Sequence, residues 1–363
     1  MKILVFPKDP NPYQELLYEQ MEQSNETLKV RYLGGPTKSQ TINLFFFPWQ
    51  LIIYRLRGYN IFHIHWFYFF AIPRLDFGIS KIIMKYYCIF SLHFIKILRY
   101  KLVWTVHETI SHTAKTESDI STSRYISQLT SNIADVKIVH SDIVLNEMLK
   151  NGLNIYNTFV IPHGSYINVY PDNITRSQAR IKLGINPDEI MILFFGLVRQ
   201  YKGVDDLIEA YSRLSTKNVK LVIAGKCIDP KLNKEILKSQ KSIKFDFYNG
   251  HVSDDDVAMY FKASDIVCLP FKEITTSGST LLALSFGKPI VAPRIGDLIN
   301  LPSDIGFLYD PITIDSLFKS LSEAVSSKHL YSISRSANRY AKTLSWDKIA
   351  EKTYEVYEAV LGL

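Results

Sequence analysis

The sequence predicts two doubly wound α/β domains in series, and three observations carry that expectation. The chain has 363 residues, more than one ordinary core holds and enough for two domains of about 100–200 residues each. Short apolar runs alternate with longer amphipathic segments, which is the rhythm of βαβ units around a parallel sheet. That rhythm pauses after Ile161 and restarts at Ile190.

Taken in order, residues 3–6 read as a buried first strand that meets Pro7 at once. Strands follow at 61–64, 102–106, 136–139 and 159–161. The second series lies at 190–195, 219–224, 266–269 and 289–292, each run leading into a polar loop and an amphipathic stretch. Between the two series, Pro171-Asp172-Asn173 and Asn186-Pro187 flank a short charged helix, so the boundary is expected within 170–188. The resulting division is 1–175, 176–345 and a last segment, 346–363. No heptad, tandem repeat or low-complexity tail interrupts it.

Composition narrows the function classes. Hydrophobic residues make up 47% and charged residues 21%, which excludes wholesale disorder and a polytopic membrane protein. A net charge of +7 favours anionic partners: phosphates, nucleic acid or acidic lipid. Cys88, Cys227 and Cys268 are far apart with no CxxC spacing, so neither a zinc site nor a disulfide framework is suggested, and a reducing cytoplasm is the simplest home. No apolar h-region follows Met1, and no charge-free apolar run reaches the roughly 20 residues that span a bilayer. Membrane contact is therefore expected to be peripheral.

The segment 41–104 is the candidate for such contact. Its bases are Arg55, Arg57, Arg74, Lys81, Lys85, Lys96, Arg99 and Lys101, and Asp76 is its only acid, among many aromatic and aliphatic residues. At about 100° per residue, Lys81, Lys85, Lys96 and Arg99 share one helix face. That face reads either as a surface for anionic membrane or lipid acceptor, or as a core helix whose lysines snorkel to water. Phe45-Phe46-Phe47-Pro48-Trp49 reads as a second insertion point or as a buried loop.

Two stretches carry candidate chemistry. In Phe194-Phe195-Gly196-Leu197-Val198-Arg199-Gln200-Tyr201-Lys202-Gly203, a buried strand turns through glycines and opens a helix at Val204. Gly196 lets backbone approach a ligand, Arg199 offers a fork of donors and Lys202 adds a charge near a helix N-terminus, a pattern suited to phosphate. The plainer reading is a solvated βα loop. In the second stretch, Glu273-Ile274-Thr275-Thr276-Ser277-Gly278-Ser279 places a carboxylate before a Thr/Ser/Gly run whose helix N–H groups can hold another face of the same anion. Glu273 can accept from sugar hydroxyls or serve as a cap or surface charge. Among the histidines, His107 ends a buried strand, where open α/β sheets bind ligands. His163-Gly164 ends another, while His63 and His65 alternate on one strand and suit either acceptor contact or a satisfied core.

These residues carry a family resemblance. Gly196 with Arg199 and Lys202-Gly203, the 273–278 segment and Gly287-Lys288-Pro289 together resemble the nucleotide-sugar site of GT-B glycosyltransferases, especially glycosyltransferase family 4. The likeness extends to Asn11-Pro12-Tyr13, His63-Ile64-His65-Trp66, residues 103–108, Ile161-Pro162-His163-Gly164 and Ser345-Trp346, and so covers nearly the whole chain.

The resemblance implies a GT-B fold: two Rossmann-like domains facing a central cleft, with a last helix that packs back on the N-terminal domain. It implies a donor held by Gly196, Arg199, Lys202, Glu273, Thr276, Ser277 and Gly278, with Tyr248-Asn249-Gly250-His251-Val252 resembling the loop on the nucleotide base. Arg199 and Lys202 would take the diphosphate, Glu273 the sugar ring, and His107 would reach the transferred sugar. Acceptor contacts would come from His65, His107, Glu108 and His163. Such enzymes generally retain anomeric configuration and need no metal or other cofactor. One departure stands out: the family's second glutamate, eight residues after the first, is Leu281 here, and Leu282 precedes Ala283. Neither accepts a hydrogen bond from ribose.

The expected function is transfer of a hexosyl unit from a UDP- or GDP-sugar to a glycan or polyprenyl-diphosphate-linked oligosaccharide in surface polysaccharide synthesis, at the inner face of the cell membrane. The alternatives are a non-catalytic glycan- or lipid-binding protein of the same fold and a nucleotide-sugar epimerase. Nucleic acid is not an expected partner, because the basic and aromatic residues match no recognised RNA or DNA module.

Overall fold

A computed structural model of the chain describes residues 1–9, 11–34, 40–67, 78–110, 116–215, 218–310 and 312–363. The chain forms two compact units, Met1–Gly164 with Trp346–Leu363, and Ser165–Ser345.

The N-terminal unit is built on β1 (Lys2–Phe6), β2 (Lys29–Tyr32), β3 (Ile61–Ile64), β4 (Lys101–Val106), β5 (Val136–Val139) and β6 (Thr158–Val160). They form one parallel sheet in the order β2-β1-β3-β4-β5-β6. Strand alternation sends Leu4, Phe6, Phe62, Ile64 and Trp104 to one face and Ile3, Val5, Ile61, Val103 and Ile138 to the other, so both faces need cover. On the first face, α2 (Gln40–Leu56), α3 (Gly78–Ile97), α4 (Glu117–Ile133) and α5 (Asp142–Lys150) bring Leu51, Leu92, Leu129 and Val144 into the core. On the second, α1 (Tyr13–Ser24) contributes Leu17 and Tyr18. Thr116 caps α4 through a reciprocal capping box with Asp119, and Ser141 caps α5.

The C-terminal unit repeats the plan with β7 (Ile190–Phe195), β8 (Val219–Ala224), β9 (Asp246–Tyr248), β10 (Ile266–Cys268), β11 (Ile290–Pro293) and β12 (Gly306–Tyr309), in the order β12-β11-β10-β7-β8-β9. Its helices are α6 (Arg176–Lys182), α7 (Val204–Ser212), α8 (Pro230–Ser239), α9 (Asp254–Ala263), α10 (Gly278–Ser285), α11 (Ile314–Ser326) and α12 (Leu330–Thr343). The chain then returns to the N-terminal unit as α13 (Trp346–Leu361), whose Val356 and Tyr357 pack beside Leu17 and Tyr18 of α1.

The join falls at Gly164 and Ser165, upstream of the 170–188 stretch that the turn signals mark. Hydrogen bonds explain it: Ser165 N–H donates to Leu344 O (2.9 Å) and Tyr166 N–H to Ser285 Oγ (2.8 Å). Arg180 of α6 is buried, donating to Ala263 O (3.0 Å) and Asn186 O (2.8 Å) and pairing with Asp265 (3.2 Å).

The basic helix face meets something other than solvent. Lys81 pairs with Asp119 (2.9 Å), Lys96 pairs with Asp135, and the Lys85 ammonium lies 5.0 Å from the Tyr125 ring centre. Arg99 follows the end of α3 at φ 59° and is not on that helix face. Besides Lys81 and His93, what α2 and α3 expose is largely apolar: Phe45 (72%), Phe46, Trp49 (61%), Ile53 and Leu56 on α2, and Ile82, Ile83, Tyr86 and Phe90 on α3. Residues 45–49 are helical rather than a loop, with Phe47 alone of the three phenylalanines in the core. Arg74 and Asp76 lie outside the described residues, among which no helix is long and apolar enough to cross a membrane.

Candidate functional site

In open α/β sheets, ligands bind beyond the carboxyl ends of the strands where strand order reverses. In the C-terminal unit that point lies between β7 and β10, and the loops leaving those strands are the two stretches singled out in the sequence.

After β7 the backbone turns at Gly196 (φ 119°), passes Arg199 and a single 3-10 turn over Gln200–Lys202, and enters α7 through Gly203 (φ 67°). A methyl group on Gly203 would stand 2.0 Å from Pro270 O, so the loop rests directly on the one after β10. Lys272 ties the two together. Its N–H donates to Tyr201 O (2.7 Å), and its ammonium lies 2.8 Å from Asp205 and 3.2 Å from Asp206.

On this brace a cradle is assembled. A methyl on Gly196 would lie 3.3 Å from Ser279 Oγ and 3.4 Å from Lys202 Nζ, so backbone, hydroxyl and ammonium converge on one point. Neither Lys202 nor Arg199 has a carboxylate partner among the described residues, and Arg199 Nε is buried without a hydrogen bond. Burial, with the Arg199 guanidinium adding to it, pushes the Lys202 ammonium down to about 8. Ser277 caps α10, its Oγ accepting from Thr280 N–H (3.0 Å). Desolvated cations without counter-ions, small residues and a capped helix start make a site for a multiply charged anion.

The other expected donor residues are placed more loosely. Glu273 is exposed in the β10–α10 loop without a partner among the described residues, and Thr276 is half-buried there. His251 is exposed and Val252 half-buried in the β9–α9 loop. That loop reaches the cradle through Gly225, which donates to Tyr248 O (3.1 Å) and whose Cβ would stand 1.9 Å from Gly196 O. Gly278 faces Tyr166, whose hydroxyl would be 3.3 Å from a methyl there. Leu281 is half-buried and Leu282 buried. Ser279 was not among the expected site residues, although it continues their Thr/Ser/Gly run.

In the N-terminal unit the reversal lies between β1 and β3, and a cluster of rings forms at the same end of the sheet. Tyr13 of α1 stands at its centre, 5.4 Å from the rings of His107 and His140, 4.8 Å from His163 and 5.6 Å from Trp346. Trp66 stacks on His107 at 4.1 Å and 8°. Gly164 must be glycine, because a methyl would stand 2.3 Å from the Trp346 indole. Glu108 is half-buried beside His107 in sequence.

His65 is 2% exposed, and both its ring nitrogens are engaged, Nε2 with Tyr18 OH (2.9 Å) and Nδ1 with His107 Nε2 (3.2 Å). That corrects its assignment to the acceptor: with no free nitrogen and almost no exposed surface, it is a satisfied core histidine. His107 Nδ1 in turn meets His140 Nε2 (3.3 Å), and His140 Nδ1 meets Ile161 O (3.0 Å). Burial lowers the pKa of His65 and His107 well below the usual value, that of His140 to about 4 and that of His163 to about 3. His140 was missed in the sequence, although it follows the apolar strand 136–139 just as His107 follows β4. The rings bond to one another in file, and among the described residues no group of three or more His, Cys, Asp or Glu is placed to hold a metal ion.

Two Rossmann-like units of this topology constitute the GT-B fold, as the resemblance implied. Residues 175–343 match the family described as glycosyl transferases group 1. The lipopolysaccharide 1,2-N-acetylglucosaminetransferase of Salmonella typhimurium is 25% identical over 61% of this chain and 61% of its own length. The GDP-mannose:glycolipid 4-beta-D-mannosyltransferase of Xanthomonas campestris pv. campestris is 27% identical over 47% of this chain and 49% of its own. The chain thus spans about half to three-fifths of the length of these curated relatives. Among solved structures, sucrose-phosphate synthase from Thermosynechococcus elongatus aligns over 99% of both chains with a TM-score of 0.79 at 15% identity. HepE from Anabaena, solved with UDP and glucose, aligns over 99% of this chain and 100% of its own with a TM-score of 0.74 at 16% identity.

Proposed function

We propose that this chain is a retaining, metal-independent glycosyltransferase that moves a hexosyl unit from a UDP- or GDP-sugar to a glycan or polyprenyl-diphosphate-linked oligosaccharide in surface polysaccharide synthesis. The observation that carries the reading is Lys202, converging with Gly196 and Ser279 at the start of α10, with Arg199 beside it and neither cation paired with a carboxylate among the described residues. A nucleotide sugar brings a diphosphate to such a cradle. When the glycosidic bond breaks, negative charge grows on the departing diphosphate, and fixed cations stabilise that charge more than the ground state. Glu273, exposed on the loop before α10, is assigned to the sugar hydroxyls, and the 248–252 loop to the base. Because Leu281 offers ribose no acceptor, the ribose is assigned to backbone or to another side chain. His107 is assigned to the transferred sugar, with Glu108 and His163 on the acceptor side. The relatives that transfer sugars to lipopolysaccharide and glycolipid support this substrate class.

The same reading places the protein in the cytoplasm, peripheral on the inner face of the membrane. The support for contact is the exposed apolar stripe Ile42, Phe45, Phe46, Trp49, Ile53 and Leu56 of α2, beside the exposed face of α3, on two helices that contain no acidic residue.

A thermal-shift series with UDP, GDP, TDP and their sugar conjugates, repeated for Lys202→Ala, tests the central claim, since a ligand of the folded state raises apparent stability by mass action. A selective shift lost in the variant is expected. A cooperatively melting protein that no nucleotide stabilises would overturn the transferase reading.

A further inference from the structure

The histidine file in the N-terminal unit has a direction, and its direction fixes one ring nitrogen of His107. A carbonyl oxygen only accepts, so the 3.0 Å contact between His140 Nδ1 and Ile161 O makes Nδ1 the protonated nitrogen of His140. His63, His65 and His140 are buried and His107 is half-buried, and desolvation depresses the pKa of each, so at neutral pH each carries one proton and leaves its other nitrogen bare. His140 Nε2 is then an acceptor, and His107 Nδ1 must donate to it across 3.3 Å. His107 Nε2 is bare in consequence and accepts from His65 Nδ1 (3.2 Å), whose own Nε2 accepts from Tyr18 OH (2.9 Å). Tyr18, its proton spent on His65, accepts from His63 Nδ1 (2.7 Å), and His63 Nε2 accepts from Thr105 Oγ1 (2.7 Å). One assignment satisfies the contacts of His65, His107 and His140, and in it these three rings are Nδ1–H tautomers.

We propose that His140 is a positioning residue: through the Ile161 carbonyl it holds His107 as a neutral Nδ1–H imidazole, so that His107 can meet a sugar hydroxyl only by accepting from it at Nε2. This rests on the reading that His107 contacts the transferred sugar, but the wiring itself does not. The groups facing the file from other elements are Tyr13 of α1, His163 after β6, Trp66 after β3 and Tyr357 of α13, whose hydroxyl lies 2.5 Å from His63 Nδ1. Among the described residues no salt bridge joins a carboxylate to any of the four rings, so no such pair favours an imidazolium there. A hydroxyl arriving at His107 Nε2 displaces the 3.2 Å bond from His65 and keeps the 3.3 Å bond to His140, which is why His140 rather than His65 sets the ring's polarity.

The test is a long-range proton–nitrogen correlation spectrum of the full chain with ring-labelled histidine, at pH 7. His65, His107 and His140 should each show a pyrrole-type Nδ1 and a pyridine-type Nε2. In His140→Leu, His107 loses its acceptor and its signal should shift toward the Nε2–H tautomer, while His140→Gln, whose amide oxygen accepts, should restore Nδ1–H. Sugar-transfer or donor-hydrolysis rates should follow the same order, with kcat falling at least tenfold in the leucine variant at unchanged donor KM, and recovering in glutamine. An Nε2–H or doubly protonated His107 in the wild-type spectrum overturns the proposal whether or not any variant folds. So does a folded leucine variant in which His107 remains Nδ1–H. If the spectra are as expected and no donor is turned over, the wiring stands and the transferase reading falls.

Discussion

The ammonium of Lys272 lies 2.8 Å from the Asp205 carboxylate, and this bridge joins the loop after β10 to the first turn of α7. Both residues are about one-third exposed, so the pair contributes on the order of 1 kcal/mol at most. Its larger effect is positional, because the two loops supply Lys202 and Ser279 to the same cradle. Replacing Lys272 by methionine should lower the melting temperature slightly and weaken donor binding several-fold. Calorimetric titration checks this, and undiminished affinity in the variant would show that the bridge does not hold the cradle in shape.

Lys202 makes binding depend on pH in a definite direction. In the free protein burial holds its pKa near 8, and a bound dianion favours the charged form. Affinity should therefore be level below pH 8 and fall by up to about tenfold per pH unit above it. Lys202→Arg, which stays charged, should abolish that fall. Lys202→Ala removes a charge-assisted hydrogen bond of about 1.5–3 kcal/mol and should weaken binding about 10- to 150-fold.

Much of this was legible before the structure. Interior parallel strands read as short, mostly apolar runs, and 61–64, 136–139, 190–195 and 219–224 have those bounds in the fold. The edge strands β2, β9 and β12 are short and half-exposed, so Lys29-Val30-Arg31-Tyr32 carries no such signal. Glycine beside a cation, and a Ser/Thr run before a helix, are local signatures, which is why Gly196, Lys202 and Ser277 could be singled out for the candidate site. His140 and Tyr18 act through partners on other elements, and no local pattern marks them. The α3 lysines show the same limit, since a helical wheel shows which residues share a face and not what that face meets. Their carboxylates are 38 and 39 positions away.

That reassignment separates two sets of variants. If the α2 stripe meets a bilayer, Phe45→Ser with Trp49→Ser removes two large exposed apolar groups, each worth about 1.5–3 kcal/mol on burial. Binding to vesicles containing anionic lipid should drop by at least about 100-fold, with little change in melting temperature. Lys81→Ala with Lys96→Ala should do the reverse, lowering the melting temperature while vesicle binding persists, because these lysines are paired with Asp119 and Asp135. Co-sedimentation and thermal melts decide between them. Equal vesicle binding by the serine variant would remove the stripe from the membrane reading.

The buried histidines should make the fold acid-sensitive well above the range in which carboxylates titrate. In the unfolded chain a histidine takes up its proton near pH 6.5, whereas burial lowers the folded values to about 3 for His63 and about 4 for His140, and His65 is also lowered. Between these limits the unfolded state binds more protons, so stability falls as pH falls, and each such histidine contributes a slope of about 1.4 kcal/mol per pH unit. His107 and His163 are lowered as well, so the slopes of several rings act in the same direction between roughly pH 6 and pH 4.5. Urea unfolding at half-unit steps from pH 7.5 to pH 5 should show a plateau above pH 7 and a steep loss below pH 6. His140→Leu, if it folds, should reduce that slope by about 1.4 kcal/mol per unit. A flat profile across the window would mean that these rings gain their protons within the native fold, and the single-proton file that orients His107 would have to be abandoned with it.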